Sequence, residues 1–180
     1  MARREVRSLR QDDFPALMAI EEEVFGAAGE GVLGAYYVRL CCEFFPESCF
    51  VALEDGRIVG YVLCFLKARE AYCTTLAVAP GRQGSRVAVQ LLRALVAALL
   101  DRVDTCWFTV KEDNLAARSL HKALGATDVG VREDFYGPGD RRLVSRIDVT
   151  AFVQRRDRME RLGLLGPAAS AEPGLLQGAA

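Results

Sequence analysis

The stretch from Leu76 to Leu92, LAVAPGRQGSRVAVQLL, allows few folds. Leu76 and Val78 close a short apolar strand that Pro80 and Gly81 stop. Gln83, Gly84, Ser85, Arg86 and Val87 lead into a helix whose apolar residues fall at 88, 91, 92, 95, 96 and 99. That is the spacing of one helical face. A glycine-bearing loop that feeds a helix leaves backbone N–H groups unpaired at the positive end of the helix dipole. Such a place holds anions, most commonly phosphates. A plain strand–turn–helix connection uses the same residue types, and on the loop alone it is the more frequent arrangement.

Charge and apolar runs narrow the partners. The chain carries 23 Lys and Arg against 24 Asp and Glu, a net charge of −1. This provides no basic field for nucleic acid and no acidic solvating tail. No apolar run is long enough to cross a membrane. The N-terminal MARREVRSLR is basic but has no apolar stretch behind it, so it does not read as a secretory leader. A cytoplasmic location is expected. With 180 residues, 51% of them hydrophobic, one domain with a sizeable core is expected.

Six cysteines stand at 41, 42, 49, 64, 73 and 106, with no Cys-x-x-Cys pair and a single histidine in the chain. No metal site is expected from such a set. The cysteines read as small buried hydrophobes, with the adjacent Cys41 and Cys42 the one pair to watch.

Residues 4–9 read as a strand, followed by a helix with Asp12 or Asp13 at its N-cap and Pro15 in its first turn. Glu21, Glu22 and Glu23 fall late on this helix; at least two are expected in solvent and at least one against a neighbour. After the Gly/Ala-rich break from Gly26 to Gly34, AYYVRLCCEFF reads as a second helix that Pro46 stops. Phe50–Glu54 and Arg57–Leu66 are strands joined by Asp55-Gly56, which indicates a type I′ hairpin turn. Strands follow at Ala71–Val78 and Thr105–Val110. A helix from Leu115 to Leu124 is capped by Asp113 or Asn114 and closed by Gly125. Two last strands, 126–133 and 142–149, flank the loop DFYGPGDRR. A terminal helix to about residue 163 and a disordered tail are expected beyond a domain covering residues 1–150. The order β-α-α-β-β-β-α-β-α-β-β makes an α/β protein with one mixed sheet and helices on its faces.

Several of these features resemble the GCN5-related N-acetyltransferase (GNAT) family in order and spacing. The strand end Val78-Ala79-Pro80, the loop Gln83-Gly84-Ser85-Arg86-Val87-Ala88 and the downstream series Asn114, Ala117, Leu120, His121, Gly125 carry the likeness. So do the opening helix with Asp13, Ile20 and Phe25, and the segment VREDFY from Val131 to Tyr136, which is similar to the peptide N-terminal branch. The resemblance spans about residues 4–149. It implies the acyl-coenzyme A N-acyltransferase fold, with acetyl-coenzyme A as acyl donor and an amine as acceptor. The pyrophosphate would lie on the N–H groups from Gln83 to Ala88, and the pantetheine would run beside Leu76, Ala77 and Val78. A backbone N–H near Leu76 or Ala77 would polarise the thioester carbonyl, and Asn114 would stand at the mouth of a splay between strands.

Three departures bear on activity. Arg86 replaces the loop's central glycine, adding a Cβ where phosphate approaches but also a guanidinium that can bind it. His121 replaces the usual tyrosine acid; it can donate a proton, or it can lie on the solvated side of its helix. Thr109 stands where the peptide-acetylating branch often has glutamate, so a base must come from Glu21–Glu23, Glu133 or water. Tyr136 is a second acid candidate. Tyr36–Phe45 and the loop from Asp134 to Arg142 would wall the acceptor site. The leading expectation is an N-acetyltransferase acting on a peptide N-terminus, a lysine or a small metabolite. The alternative is a non-catalytic acyl-coenzyme A-binding or assembly member of the fold. Acyl length stays open, as does the oligomeric state, with a homodimer among the options.

Overall fold

The Asp55-Gly56 turn has both residues at positive φ (50° and 80°), as a type I′ turn requires, and it joins two adjacent antiparallel strands of the sheet. The computed structural model of the chain describes residues 3–27, 31–148, 150, 160, 161 and 163. The expected terminal helix and tail lie outside the described residues, apart from those last four positions.

Among the described residues seven strands form one sheet in the order β1-β2-β3-β4-β5-β7-β6. They are β1 (Arg4–Ser8), β2 (Phe50–Glu54), β3 (Arg57–Lys67), β4 (Glu70–Val78), β5 (Thr105–Lys111), β6 (Thr127–Arg132) and β7 (Arg142–Asp148). Every neighbouring pair is antiparallel except β4–β5. The helices are α1 (Phe14–Glu21), α2 (Ala35–Phe44), α3 (Val87–Leu99) and α4 (Leu115–Leu124). The order is the one the sequence implies.

Each sheet face has its own core. Leu91, Leu92, Leu95 and Leu99 of α3 pack on Val62, Val78, Phe108 and Ile147. On the other face, Leu17 and Ile20 of α1 and Val38 and Cys41 of α2 pack on Val51, Tyr61, Leu63 and Ala77. At about 25 cal/mol per Å² of apolar surface, these two layers carry the bulk of the folding free energy. All six cysteines are free thiols. Cys41 and Cys42 are both buried in the α1/α2 layer and form no disulfide with each other.

Local chemistry sets the helix ends. Asp13 precedes α1, as expected, but its carboxylate serves the preceding 3-10 turn: it accepts from Arg10 N–H at 2.8 Å and from both Arg7 terminal nitrogens at 2.7 and 2.8 Å. A π-helical turn, Glu22–Gly26, follows α1. Asn114 caps α4 by accepting from Ala117 N–H at 3.0 Å, and Gly125 closes it at φ 93°.

Candidate active site

The sheet opens where the parallel pair β4–β5 ends. β4 and β5 pair from Glu70–Cys73 to Thr105–Phe108 and no further. Past that point β4 stays with β3 and β5 stays with β7, leaving a fork between Thr74–Val78 and Thr109–Lys111.

A bulge shapes one arm. Cys64 pairs with Cys73 but Leu63 pairs with Thr75, so Thr74 is an extra residue in β4. An inserted residue reverses which side chains face which side. Cys73 and Val78 therefore belong to the α3 core while Ala77 belongs to the α1/α2 core. Ala79 N–H donates to Val59 O at 2.9 Å. The alternation of an antiparallel ladder then makes 61/77 and 63/75 the bonded pairs and turns the N–H and C=O of Leu76 and Val78 into the fork. Gln83 Nε2 reaches Val78 O from that side at 3.3 Å. Of the two donors the sequence suggests, Leu76 presents its N–H to the fork, and Ala77 is spent on Tyr61.

Hydroxyl groups line the start of the fork on the α2 side. Tyr37 donates to Thr74 Oγ1 at 2.6 Å. Tyr72 on β4 and Thr109 on β5 share a hydrogen bond of 2.8 Å. Burial pushes both phenols above their ordinary pKa, against the lowering effect of the threonine bonds. Tyr136, 73% exposed, packs edge-on to Phe135 with the Arg142 guanidinium over its ring. The sequence drew attention to Thr109 only for standing in place of a carboxylate. Hydroxyls inside otherwise apolar strands were the available clue to the bonding of Thr109 and Thr74.

His121 lies on the opposite face. Its ring stacks on Phe108 at 4.5 Å between centroids, and its Nδ1 is buried without a partner among the described residues. The solvated alternative for this histidine is therefore not the one adopted. Burial lowers its pKa, with Asp128 opposing, so the imidazole is neutral near pH 7. His121 thus packs on β5 at Phe108, and Tyr136 packs on Phe135 and under Arg142 of β7.

The loop before α3 has the features of an anion site. Gln83 and Ser85 N–H close turns onto Pro80 O and Arg82 O, and Val87 N–H is taken by Ser85 Oγ. No hydrogen bond among the described residues takes the N–H groups of Gly84, Arg86, Ala88 and Val89. Gly84 carries the left-handed conformation, φ 72°, whereas Arg86 stands at φ −78°, which any residue adopts. The loss of glycine at 86 therefore costs the backbone nothing. The Arg86 guanidinium reaches towards Gly163, where an added Cβ would stand 3.2 Å from it. The loop is tied down by buried Glu54, which pairs with Arg82 and, at 3.1 Å, with Arg4. Those two arginines, Arg82 first, hold the Glu54 carboxyl below its ordinary pKa.

The candidate bases are placed less favourably. Glu22 and Glu23 are exposed. Glu21 is buried; one carboxylate oxygen accepts from Leu33 N–H at 2.8 Å, the other has no partner among the described residues, and burial raises its pKa. Glu133 pairs with Arg141 at 2.9 Å. Among the described residues no group of three or more His, Cys, Asp and Glu could hold a metal ion, and no helix is long and apolar enough to cross a membrane.

A mixed sheet that forks at its parallel pair, beside a loop of unpaired N–H groups leading into a helix, defines the acyl-coenzyme A N-acyltransferase class of fold. The acetyltransferase (GNAT) family matches residues 4–126, and the chain belongs to that family. It is 32% identical over 85 residues to the [ribosomal protein bS18]-alanine N-acetyltransferase of Haemophilus influenzae, covering 47% of this chain and 58% of that one. It is also 32% identical over 108 residues to the L-2,4-diaminobutyric acid acetyltransferase of Marinococcus halophilus, covering 56% and 63%. The matches thus span about three fifths of each relative. Among solved structures, the diaminobutyrate acetyltransferase of Paenibacillus lautus, in complex with L-2,4-diaminobutyric acid and coenzyme A, superposes with a TM-score of 0.71 at 19% identity. That match covers 83% of this chain and 97% of that one, and it concerns the fold.

Proposed function

We propose that this protein is an acetyl-coenzyme A-dependent N-acetyltransferase whose acceptor is the α-amine of a peptide N-terminus. The observation that carries the reading is the fork: a backbone N–H and C=O row from Leu76 and Val78 on one arm, and a ring of uncharged hydroxyls around its opening.

The residues fit the donor. Unpaired N–H groups at Gly84, Arg86, Ala88 and Val89 suit a pyrophosphate. The Leu76 N–H suits the oxygen of a thioester carbonyl, where a fixed dipole stabilises developing negative charge. Acetyl-coenzyme A supplies an activated acetyl group: the amine nitrogen bonds to its carbonyl carbon, the C–S bond breaks, and coenzyme A leaves as a thiolate.

The acceptor class follows from the absence of charge. Tyr37, Tyr72, Thr74 and Thr109 offer no carboxylate or imidazole to take up a proton, so the amine must arrive already neutral. An α-amine, with a pKa of about 7.7–8.0, is roughly one third neutral at pH 7.5, whereas a lysine amine at about 10.4 is roughly one part in a thousand neutral. The relative that acts on ribosomal protein alanine agrees with this reading. The one that acts on diaminobutyrate points to a small diamine instead.

The second reading is a non-catalytic acyl-coenzyme A-binding member of the fold, favoured by Thr109 in the place of a carboxylate. Mass-spectrometric time courses with acetyl-coenzyme A test both. The panel is an alanine-initiated peptide, an N-blocked lysine peptide and 2,4-diaminobutyrate. Acetylation of the first well above the others is expected. Saturable coenzyme A binding by calorimetry without acetylation of any of them would leave the second reading.

A further inference from the structure

We propose that Tyr37 is a positioning residue: through Thr74 it holds the β4 bulge that turns the Leu76 N–H into the fork. The proposal rests on the reading of the fork as the acyl-transfer site.

The bulge decides which amide is offered. Thr74 is the extra residue, and Leu76 lies beyond it. Were the bulge to move past Leu76, that residue would fall opposite Tyr61, a bonded position on β3, and its N–H would turn away from the fork. A bulged residue has no partner across the ladder to fix it. Something else must hold it in place.

A side-chain relay does so. Tyr37 Oη donates to Thr74 Oγ1 at 2.6 Å, and Thr74 Oγ1 donates to Leu63 O at 3.3 Å. Leu63 is the β3 partner of Thr75, so the relay ends on the rung just before Leu76. The hydroxyl is aimed by packing. The Tyr37 ring stands edge-on to Phe65 at 5.5 Å and 88°, and Phe65 stands edge-on to Phe45 at 4.6 Å and 77°. Both Tyr37 and Phe45 belong to α2 or its end, so the helix clamps the β3 aromatic from two sides. Apolar packing alone would be served as well by phenylalanine. The hydroxyl has a different task.

The test compares Tyr37→Phe, Thr74→Val, the double variant and Thr74→Ser with the wild type. Turnover and acetyl-coenzyme A KM are measured together with amide exchange at Thr75 and Ala77. Each single loss should lower kcat about tenfold, as one hydrogen bond can, with KM within about twofold. The double variant should be no worse than the worse single, because both changes break one relay. Thr74→Ser should keep wild-type turnover. Tyr37→Phe should also speed exchange at Thr75 about tenfold without affecting Leu91 in α3. Wild-type kcat in either single variant, multiplicative losses in the double, or a change in KM alone would overturn the proposal. If the wild type acetylates no amine, the transfer reading fails by itself. Exchange then still decides the bulge: faster at Thr75 in Tyr37→Phe supports the relay, and unchanged exchange removes it.

Discussion

The hydroxyls of Tyr72 and Thr109 meet at 2.8 Å across the point where β4 and β5 part. They bridge the fork at its narrow end and place an uncharged pair where a base would be most useful. Thr109→Glu would put a carboxylate there. Turnover of a lysine-type amine should rise at least tenfold relative to an α-amine, since positioned bases contribute about a hundredfold or more. Competition between the two amines, read by mass spectrometry, checks this. An unchanged ratio would mean that position 109 does not touch the acceptor.

His121 is expected to act as a neutral hydrogen-bond donor beside the leaving sulfur. His121→Ala should lower kcat about tenfold while coenzyme A affinity stays within about twofold. Burial holds the folded pKa below the ordinary 6.5. Above that ordinary value both folded and unfolded chains are neutral here and the contribution is complete. As pH falls, the unfolded chain binds the proton first and stability is lost, down to the depressed folded value. Melting temperatures followed from pH 7.5 downwards should therefore fall less steeply in His121→Gln than in the wild type.

Arg86 sits in an unstrained conformation at the start of α3, exposed, at the positive end of the helix dipole. Arg86→Ala should weaken coenzyme A binding about fivefold at low salt and less at high salt, as a screened charge interaction does. Calorimetric titration at two ionic strengths measures it. Tighter binding would show instead that the side chain obstructs the loop.

Gly60 has no room for a side chain. A Cβ there would stand 2.8 Å from Ala77 O and 3.1 Å from Val87 Cγ1. Gly60→Ala should destabilise the fold by about 1–3 kcal/mol through overpacking. Because the clash falls on the backbone of β4 next to Leu76, turnover should drop as well. Chemical denaturation and kinetics on the same sample separate the two effects.

The elements were legible because their punctuation is local. Pro15, Asp55-Gly56, Pro80, Asn114 and Gly125 each act within a few residues, and the strands and helices fall between them. The fork and the bulge were not. AYCTTLAV is apolar or small on both sides, so no alternation marks where its facing reverses. The inserted Thr74 is visible only once β3 is laid alongside. For the same reason the loop could be read from Gly84 and the helix behind it, while the Tyr37–Thr74 and Tyr72–Thr109 pairs could not: their members are 37 residues apart in each case. The expected cap at Asp13 was right in place and different in use, because Arg7 on β1 competes for its carboxylate.

The Arg4–Glu54–Arg82 arrangement makes the edge of the sheet a mechanical part of the anion loop. Among the described strands β1 lies at one edge and pairs with β2 alone, so it can be peeled away without breaking the rest of the sheet. A bulky fusion placed ahead of Arg3, or removal of the residues up to Arg4, would leave the two cores in place and release one of the two cations that grip Glu54. The damage would register as looser coenzyme A binding in a protein that still melts cooperatively. The position of an affinity tag is therefore a biochemical variable for this chain.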